Sequence, residues 1–244
     1  SATYTAGMAE QYNALRTQHL ARKQEKKLLP LEEARANAPL INWDAYTPPI
    51  PKKTGIHYWG PDQLPVAMLK DYIDWTPFFQ TWELAGKYPA ILDDEVVGAA
   101  ATKLFRDAQQ MLRDIIRNKW LQPQAVVAIM PANSVGDDIH TTDTNGNPVI
   151  FHTLRQQQTK AKGLPNYALA DFIAPAASGK QDYFGGFAVT AGTGIETELA
   201  RMEAEHDDYS AILLKALADR LAEALAEWLH QKVRREIWGY APEE

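Results

Sequence analysis

Apolar residues recur every three or four positions in two long stretches of this chain. One stretch covers residues 93–119, and its spacing predicts an amphipathic helix. The other begins after Asp207 or Asp208, either of which can cap a helix, and continues to about Glu236. A shorter helix is predicted just before it, at residues 195–205. The carboxyl-terminal part of the chain is therefore expected to be helical.

The middle of the chain has a different pattern, in which short apolar runs are separated by turn residues. The pair Asn145-Gly146 lies between two such runs and is a hairpin signal. Gly185-Gly186 indicates a bulge or a close backbone approach. Strands are predicted at residues 125–130, 138–142, 148–153, 168–174 and 183–190. Helices on both sides of hairpin-linked strands indicate an α+β fold with a mainly antiparallel sheet.

The amino-terminal segment is more polar than the rest of the chain. Residues 8–27 predict a charged helix with only a thin apolar stripe, which is typical of a helix that connects domains or lies on a surface. A proline-rich stretch at residues 47–51 then favours extended backbone. We therefore expect a linker helix over residues 1–28 and one domain over residues 29–244, whose first part wraps a core as an arm.

Composition narrows the possible functions. The net charge of −6 argues against nucleic-acid binding, which requires a basic surface. No apolar run approaches the roughly 20 residues that span a bilayer, and the first residues lack a signal-peptide pattern, so we expect no membrane association and a cytoplasmic location. The chain has no cysteine, and its six histidines lack paired spacing, so no metal site is expected. No phosphate-binding loop or catalytic signature is present, and no catalytic residue is assigned.

A carboxylate among aromatic residues is the first candidate for chemistry. Asp74 lies within the sequence YIDWTPFF, where Pro77 limits a helix that ends near Asp74 or starts near Thr76. A carboxylate walled by aromatic rings keeps its charge most easily beside a cation, so the motif fits an ammonium or sulfonium ligand. Alternatively, Asp74 only caps a helix or pairs with a buried arginine, and the rings form core.

The second candidate lies at the predicted end of the last helix, in the sequence REIWGYAP. Arg235 is suited to a bidentate contact with a carboxylate, Gly239 lets backbone approach a ligand, and Tyr240 offers a ring and a hydroxyl. Alternatively, the segment is a plain helix stop with basic residues near the helix end. Together, Asp74 and Arg235 match the ammonium and the carboxylate of an amino-acid moiety.

Several motifs occur in the order found in one known family. They are YIDWTPFF followed by LAGKYP, then PANSVGDDI, NYALADF, HDDY and the RxxxGY pattern that begins at Arg235. From about Leu29 to Glu244, the sequence resembles the activation domain of cobalamin-dependent methionine synthase. The resemblance implies a C-shaped single α+β domain with a twisted, mainly antiparallel sheet and flanking helices.

The resemblance also implies a function. In this family the parent enzyme is a methyltransferase that carries a methyl group from methyltetrahydrofolate to homocysteine through methylcobalamin. The activation domain binds S-adenosylmethionine, and a flavodoxin-type reductase supplies an electron, so that inactive cob(II)alamin is remethylated. Cobalamin is expected on a neighbouring module of the same polypeptide, and zinc only elsewhere in the parent enzyme. This domain alone is not expected to be catalytic.

Matching of motifs gives the site residues that the resemblance implies. Asp74 would contact the ammonium group of S-adenosylmethionine, and Arg235 its carboxylate. Gly239, Tyr240 and Ala241 would lie along the ligand, and Glu198 would reach its amino-acid end. The family continues past this point through a proline-rich stretch and further strands. The chain is therefore expected to be cut short at its carboxyl-terminal end and to bind S-adenosylmethionine weakly or not at all.

Two other functions fit parts of the sequence. The chain could be a docking module that caps the cobalamin module and recruits the reductase, without a small ligand in this fragment. The acidic balance and the polar first helix fit that alternative. An independent S-adenosylmethionine-dependent methyltransferase is disfavoured, because no glycine-rich strand-to-helix loop is present.

Overall fold

The computed structural model describes residues 7–8, 10–17 and 28–244. Residues 7–8 and 10–17 are helical, in agreement with the start of the polar helix predicted over residues 8–27. Residues 18–27 of that prediction lie outside the described residues. The next helix among the described residues is α1, Leu31–Ala36, which is the first element of the arm.

The remaining helices and strands alternate in an α+β order. The helices that follow are α2 (Val66–Leu69), α3 (Trp75–Thr81), α4 (Gly98–Asn118), α5 (Ile195–Ala204) and α6 (Asp208–Lys232). The strands are β1 (Gly55–Trp59), β2 (Gln124–Val135), β3 (Asp138–Thr142), β4 (Pro148–His152) and β5 (Asp182–Thr190). None of the described helices combines the length and apolar character needed to cross a membrane.

All strand pairs of the sheet are antiparallel, with β2 at its centre. Strand β5 pairs with β2 over residues 124–132, along one edge. The first half of β2 also pairs with β1 and its last residues pair with β3, so these two strands follow one another along the opposite edge. Strand β4 extends the sheet beyond β3. The predicted fold class is confirmed.

The main core lies between one face of the sheet and the helices. Ala125, Val127 and Ile129 of β2 are buried on that face. Leu217, Leu221 and other apolar residues of α6 are buried in the same core cluster. A smaller cluster on the other face joins Ala132 to Ile139 and Ala170. The segment after β4 therefore covers only one end of the outer face.

Several predicted elements are confirmed, with shifted ends. Helix α5, the hairpin of β3 and β4, and β5 agree with their predicted positions. Helix α4 begins five residues later than predicted, because the Asp94 side chain accepts hydrogen bonds from the N–H groups of Val96 and Val97 and forms a separate turn. Helix α6 ends at Lys232 and is followed by a turn of π-helix, Val233–Ile237.

One prediction of local structure was wrong, and one of the two alternatives at Gly185-Gly186 is excluded. Residues 168–174 do not form a strand, because the Asp171 carboxylate accepts the Ala168 N–H at 2.7 Å and closes a short 3-10 turn, Leu169–Phe172. Gly185-Gly186 does not form a bulge, since the register with β2 is continuous through both residues. Instead, the ring of Trp238 lies over Gly185, where an added Cβ would be 3.5 Å from it.

Candidate functional site

Asp74 occupies the position just before α3. Its Oδ1 accepts the Thr76 N–H at 2.9 Å, so the side chain caps the helix, and the residue is exposed. The helix-capping alternative is therefore correct for this side chain. Among the described residues Asp74 has no ion-pair partner, so its charge remains available to a ligand.

The aromatic residues of this motif do not wall the carboxylate. Trp75, Phe78 and Phe79 are buried at 8%, 0% and 0% exposure, and they belong to the main core. Trp75 and Phe78 meet edge to face, with ring centroids 5.4 Å apart. The proposed aromatic cage around Asp74 was wrong, because α3 turns these rings inward. Their packing instead fixes the position of the carboxylate at the surface.

The second motif forms a tight turn after α6. The backbone N–H groups of Trp238 and Gly239 both point to the Val233 carbonyl, at 2.8 and 3.3 Å. Gly239 has φ +78°, a conformation that favours glycine. Arg235 and Tyr240 are exposed, and no hydrogen bond or ion pair engages the Arg235 guanidinium within the described chain.

The arm holds this turn from outside. The N–H groups of Lys52 and Lys53 donate to the carbonyls of Trp238 and Ile237, at 3.2 and 2.9 Å. The Trp238 indole N–H donates to the carbonyl of Pro49 at 2.9 Å. The Lys52 side chain lies directly over Gly239, where it would overlap an added Cβ. Residues 49–53 therefore form one wall of the turn.

Charges of both signs surround Arg235. The hydrogen bond from Arg234, with the charges of Arg234 and Arg235, holds the pKa of the Glu244 carboxyl below its usual range. The Lys232 ammonium, aided by Lys53 and Arg235, does the same for the pKa of Glu236. Lys232 and Arg234 are thus paired with these carboxylates, whereas Arg235, without an ion-pair partner among the described residues, remains a cation that an anionic group of a ligand can contact.

One hydrogen bond joins the two candidate segments. The Tyr72 hydroxyl donates to Oε1 of Gln231 at 2.7 Å. Tyr72 is two residues before Asp74, and Gln231 is four residues before Arg235. The structure thus brings the segments together, although no described contact joins Asp74 to Arg235. The sequence analysis missed Gln231 and Lys52, because contacts across such long separations leave no local pattern.

Glu198 is already paired. Its carboxylate accepts a hydrogen bond from Arg201 at 2.9 Å, one turn further along α5. No described contact connects it with Asp74, Arg235 or Tyr240. Ala241 lies at the far end of the turn, where its N–H donates to the Arg234 carbonyl at 3.1 Å. Among the described residues, no group of three or more histidine or acidic side chains is arranged to hold a metal ion.

Comparisons with known proteins agree with this fold. A family model of the activation domain of vitamin B12 dependent methionine synthase matches residues 65–244. The chain is also similar to a crystal structure of the MetH reactivation domain bound to AdoHcy, with 51% sequence identity and a TM-score of 0.83. The match covers 89% of this chain and 66% of that chain, so this chain spans just under two thirds of its relative. The chain therefore belongs to the family of activation domains of vitamin B12 dependent methionine synthases.

Proposed function

We propose that this domain binds S-adenosylmethionine and presents it for reductive remethylation of cobalamin in a methionine synthase. The observation that carries the proposal is the 51% identity to a reactivation domain bound to AdoHcy. That ligand shares the adenosyl and amino-acid groups of S-adenosylmethionine and differs by the transferred methyl group. A site that holds one of them is suited to the other.

The amino-acid end of the ligand would lie between the two segments joined by Tyr72 and Gln231. Asp74 would bind the ammonium group and Arg235 the carboxylate, and neither has a competing ion-pair partner in the described chain. Gly239, Tyr240 and Ala241 would follow the ligand. Glu198 is the least supported of the proposed ligand-binding residues, since the ligand would have to replace Arg201 as the partner of its carboxylate.

The wider activity belongs to the whole protein, and we propose it on the strength of family membership. The parent enzyme would be a cytoplasmic methyltransferase that converts homocysteine to methionine. Cobalamin, held on a neighbouring module, would supply the cobalt that accepts the methyl group. A flavodoxin-type reductase would supply the electron, and zinc would lie elsewhere in the parent enzyme.

A charge-only substitution tests the proposed site. In the methionine synthase polypeptide that carries this domain, Asp74→Asn keeps a good helix cap but removes the charge that would bind the ammonium. We expect weaker AdoHcy binding and slower reactivation of the oxidised enzyme, with unchanged turnover of enzyme that starts as methylcobalamin. Asp71→Asn, a nearby exposed carboxylate, is the matched control. Equal AdoHcy affinity in Asp74→Asn and in the unchanged protein would refute the assignment.

The weak ligand binding expected of this chain alone stays a prediction. Calorimetric titration of the 244-residue chain with S-adenosylmethionine tests it directly. A dissociation constant in the micromolar range or tighter would contradict weak binding, and it would at the same time support the proposed ligand.

A further inference from the structure

The Lys52 side chain lies against Gly239, the residue with φ +78° in the turn after α6. Its Cδ and Nζ atoms are 2.5 and 2.8 Å from the position that a Cβ of residue 239 would take. Gly239 is also the place where backbone is proposed to approach the ligand, because glycine leaves its α-carbon uncovered. A ligand that follows this backbone therefore meets the Lys52 side chain.

Backbone hydrogen bonds fix the point from which this side chain starts. The Lys52 N–H donates to the Trp238 carbonyl at 3.2 Å, and the Lys53 N–H donates to the Ile237 carbonyl at 2.9 Å. The Trp238 indole N–H donates in return to the Pro49 carbonyl at 2.9 Å. The α-carbon of Lys52 is thus tied to the turn, whereas its side chain is exposed and free to rotate. The ammonium can move aside for a ligand and still remain within reach of it.

The Lys52 ammonium is not neutralised by the carboxylates of the turn. Glu236 and Glu244 are each paired with another cation, at 2.8 and 2.5 Å. Glu243 is exposed and makes no described contact with Lys52. Within the part of the chain that the structure describes, no ion pair engages the Lys52 ammonium. Its charge therefore remains available to an anion.

The adjacent Lys53 has a different neighbour. The hydrogen bond from Lys232, aided by the charge of Lys53, holds the pKa of the Glu236 carboxyl below its usual range. Lys53 thus interacts with Glu236, and Lys52 lies on Gly239. Two consecutive lysines of equal charge therefore have different surroundings, which makes each a control for the other.

Lys52 and Arg235 are placed to reach the same anion. Arg235 lies in the π-helical turn, and Gly239 follows it by four residues, which corresponds to about 6 Å along a helix. Both cationic side chains are long and exposed. A carboxylate has two oxygens that accept several hydrogen bonds, so it can take one cation on each.

We propose that the Lys52 ammonium binds the carboxylate of the ligand's amino-acid moiety together with the Arg235 guanidinium. The inference rests on the proposed function, since Arg235 and Gly239 contact a ligand only if the domain binds S-adenosylmethionine. Hydrogen bonds between charged partners are the stronger ones. Lys52 would therefore favour ligands that retain the carboxylate over an uncharged nucleoside.

Titration of AdoHcy into the methionine synthase polypeptide that carries this domain tests the contact. Lys52→Met keeps the backbone N–H and most of the stem and removes the charge. We expect about tenfold weaker AdoHcy binding at low salt, since a charge-assisted hydrogen bond is lost, and a smaller difference at high salt. Lys52→Arg keeps the charge and should retain most of the affinity. Lys53→Met is the matched control, with an expected loss below about twofold.

A second ligand separates contact with the carboxylate from a change in the shape of the site. Methylthioadenosine has the adenosyl group of AdoHcy but lacks the amino-acid carboxylate. Lys52→Met should therefore leave methylthioadenosine affinity unchanged. Urea unfolding of Lys52→Met is expected to match that of the unchanged protein, because the backbone hydrogen bond to Trp238 is retained.

Three outcomes would overturn the inference. They are AdoHcy affinity that is equal or tighter in Lys52→Met, equal losses in Lys52→Met and Lys53→Met, and equal losses for both ligands in Lys52→Met. The proposed function is judged separately by Asp74→Asn. A loss of AdoHcy affinity in Asp74→Asn without one in Lys52→Met would reject this inference alone, whereas absence of AdoHcy binding to the unchanged polypeptide would reject both.

Discussion

The hydroxyl of Tyr72 and the side-chain amide of Gln231 meet at 2.7 Å, across 159 residues of sequence. The contact is partly buried and joins the end of α6 to the short segment that precedes α3. Asp74 and Arg235 follow these two residues closely, so the hydrogen bond, together with the shared core packing of α3 and α6, ties the two candidate segments to each other. Its loss should therefore affect both stability and ligand affinity.

Tyr72→Phe is expected to lower the free energy of unfolding by about 1 kcal/mol, because the Gln231 amide loses its partner in a partly buried place. Urea unfolding measures this change, and AdoHcy titration measures the expected loss of affinity. Tyr58→Phe removes a similar but exposed hydrogen bond, from its hydroxyl to Gln124, and should cost less. Equal losses in the two variants would contradict the role given to Tyr72.

Asp74 has two separable roles, and two substitutions distinguish them. Asp74→Ala removes the hydrogen bond to the Thr76 N–H and should lower the free energy of unfolding by about 1 kcal/mol. Asp74→Asn retains a cap of similar quality and should change it by only a few tenths. Thermal or urea unfolding of both variants provides the measurement. Comparable destabilisation by both would show that the charge, rather than the cap, supports the helix.

Arg155 is expected to be the most sensitive polar residue of the segment after β4. Arg155→Met would leave Asp137 and Asp171 without their shared cation, and breaking such a buried pair costs about 3–5 kcal/mol. Arg220→Met breaks the more exposed pair with Glu223, for which the expected cost is below about 1 kcal/mol. Urea unfolding of both variants tests the contrast, and similar midpoints would argue against a structural role for Arg155.

Acid should weaken the same network through Asp137. Burial raises the pKa of this carboxyl, but hydrogen bonds from Arg35 and Arg155 lower it further, so the net pKa lies below its usual range. The stabilisation is thus complete above the unfolded pKa of about 3.9 and is lost as the pH falls through the lower folded value. Urea midpoints measured from neutral pH downward should fall less steeply below about pH 4 in Asp137→Asn. Parallel curves for the two proteins would contradict this assignment.

Local patterns in the sequence predicted the local features of the fold. Asp207 caps α6 through a hydrogen bond from the Ser210 N–H at 3.0 Å, and such a contact needs only three residues of sequence. The strand predicted at residues 168–174 was wrong, because the shape of this segment depends on Asp171, which Arg155 holds from sixteen residues away. The predicted aromatic wall around Asp74 was wrong for a related reason. Trp75 and Phe78 are buried because they pack in one core with residues of α4 and α6, and their closeness to Asp74 in sequence does not decide this.

The candidate site likewise depends on contacts between distant segments that no local pattern predicts. Residue types alone suggested Asp74 and Arg235 as ligands for an amino-acid moiety. The contacts that position them, from Gln231 and from the arm at Lys52, depend on how distant segments pack. The resemblance to a known family supplied the ligand and the cobalamin, which composition and periodicity did not.

The pairing of the arm with the turn after α6 has a mechanical consequence. Residues 49–53 are bonded directly to Trp238 and Ile237, close to the candidate ligand groups. The other end of the same arm begins where Leu29 pairs with Gln157. Between these two ends the arm is held again, since Asn37 Nδ2 donates to Oδ1 of Asn166 and the Lys180 ammonium donates to the carbonyl oxygens of Trp43 and Tyr46. A pull on the arm from the amino-terminal side is therefore borne first by the segment after β4, and these contacts shield the turn at Gly239 from it.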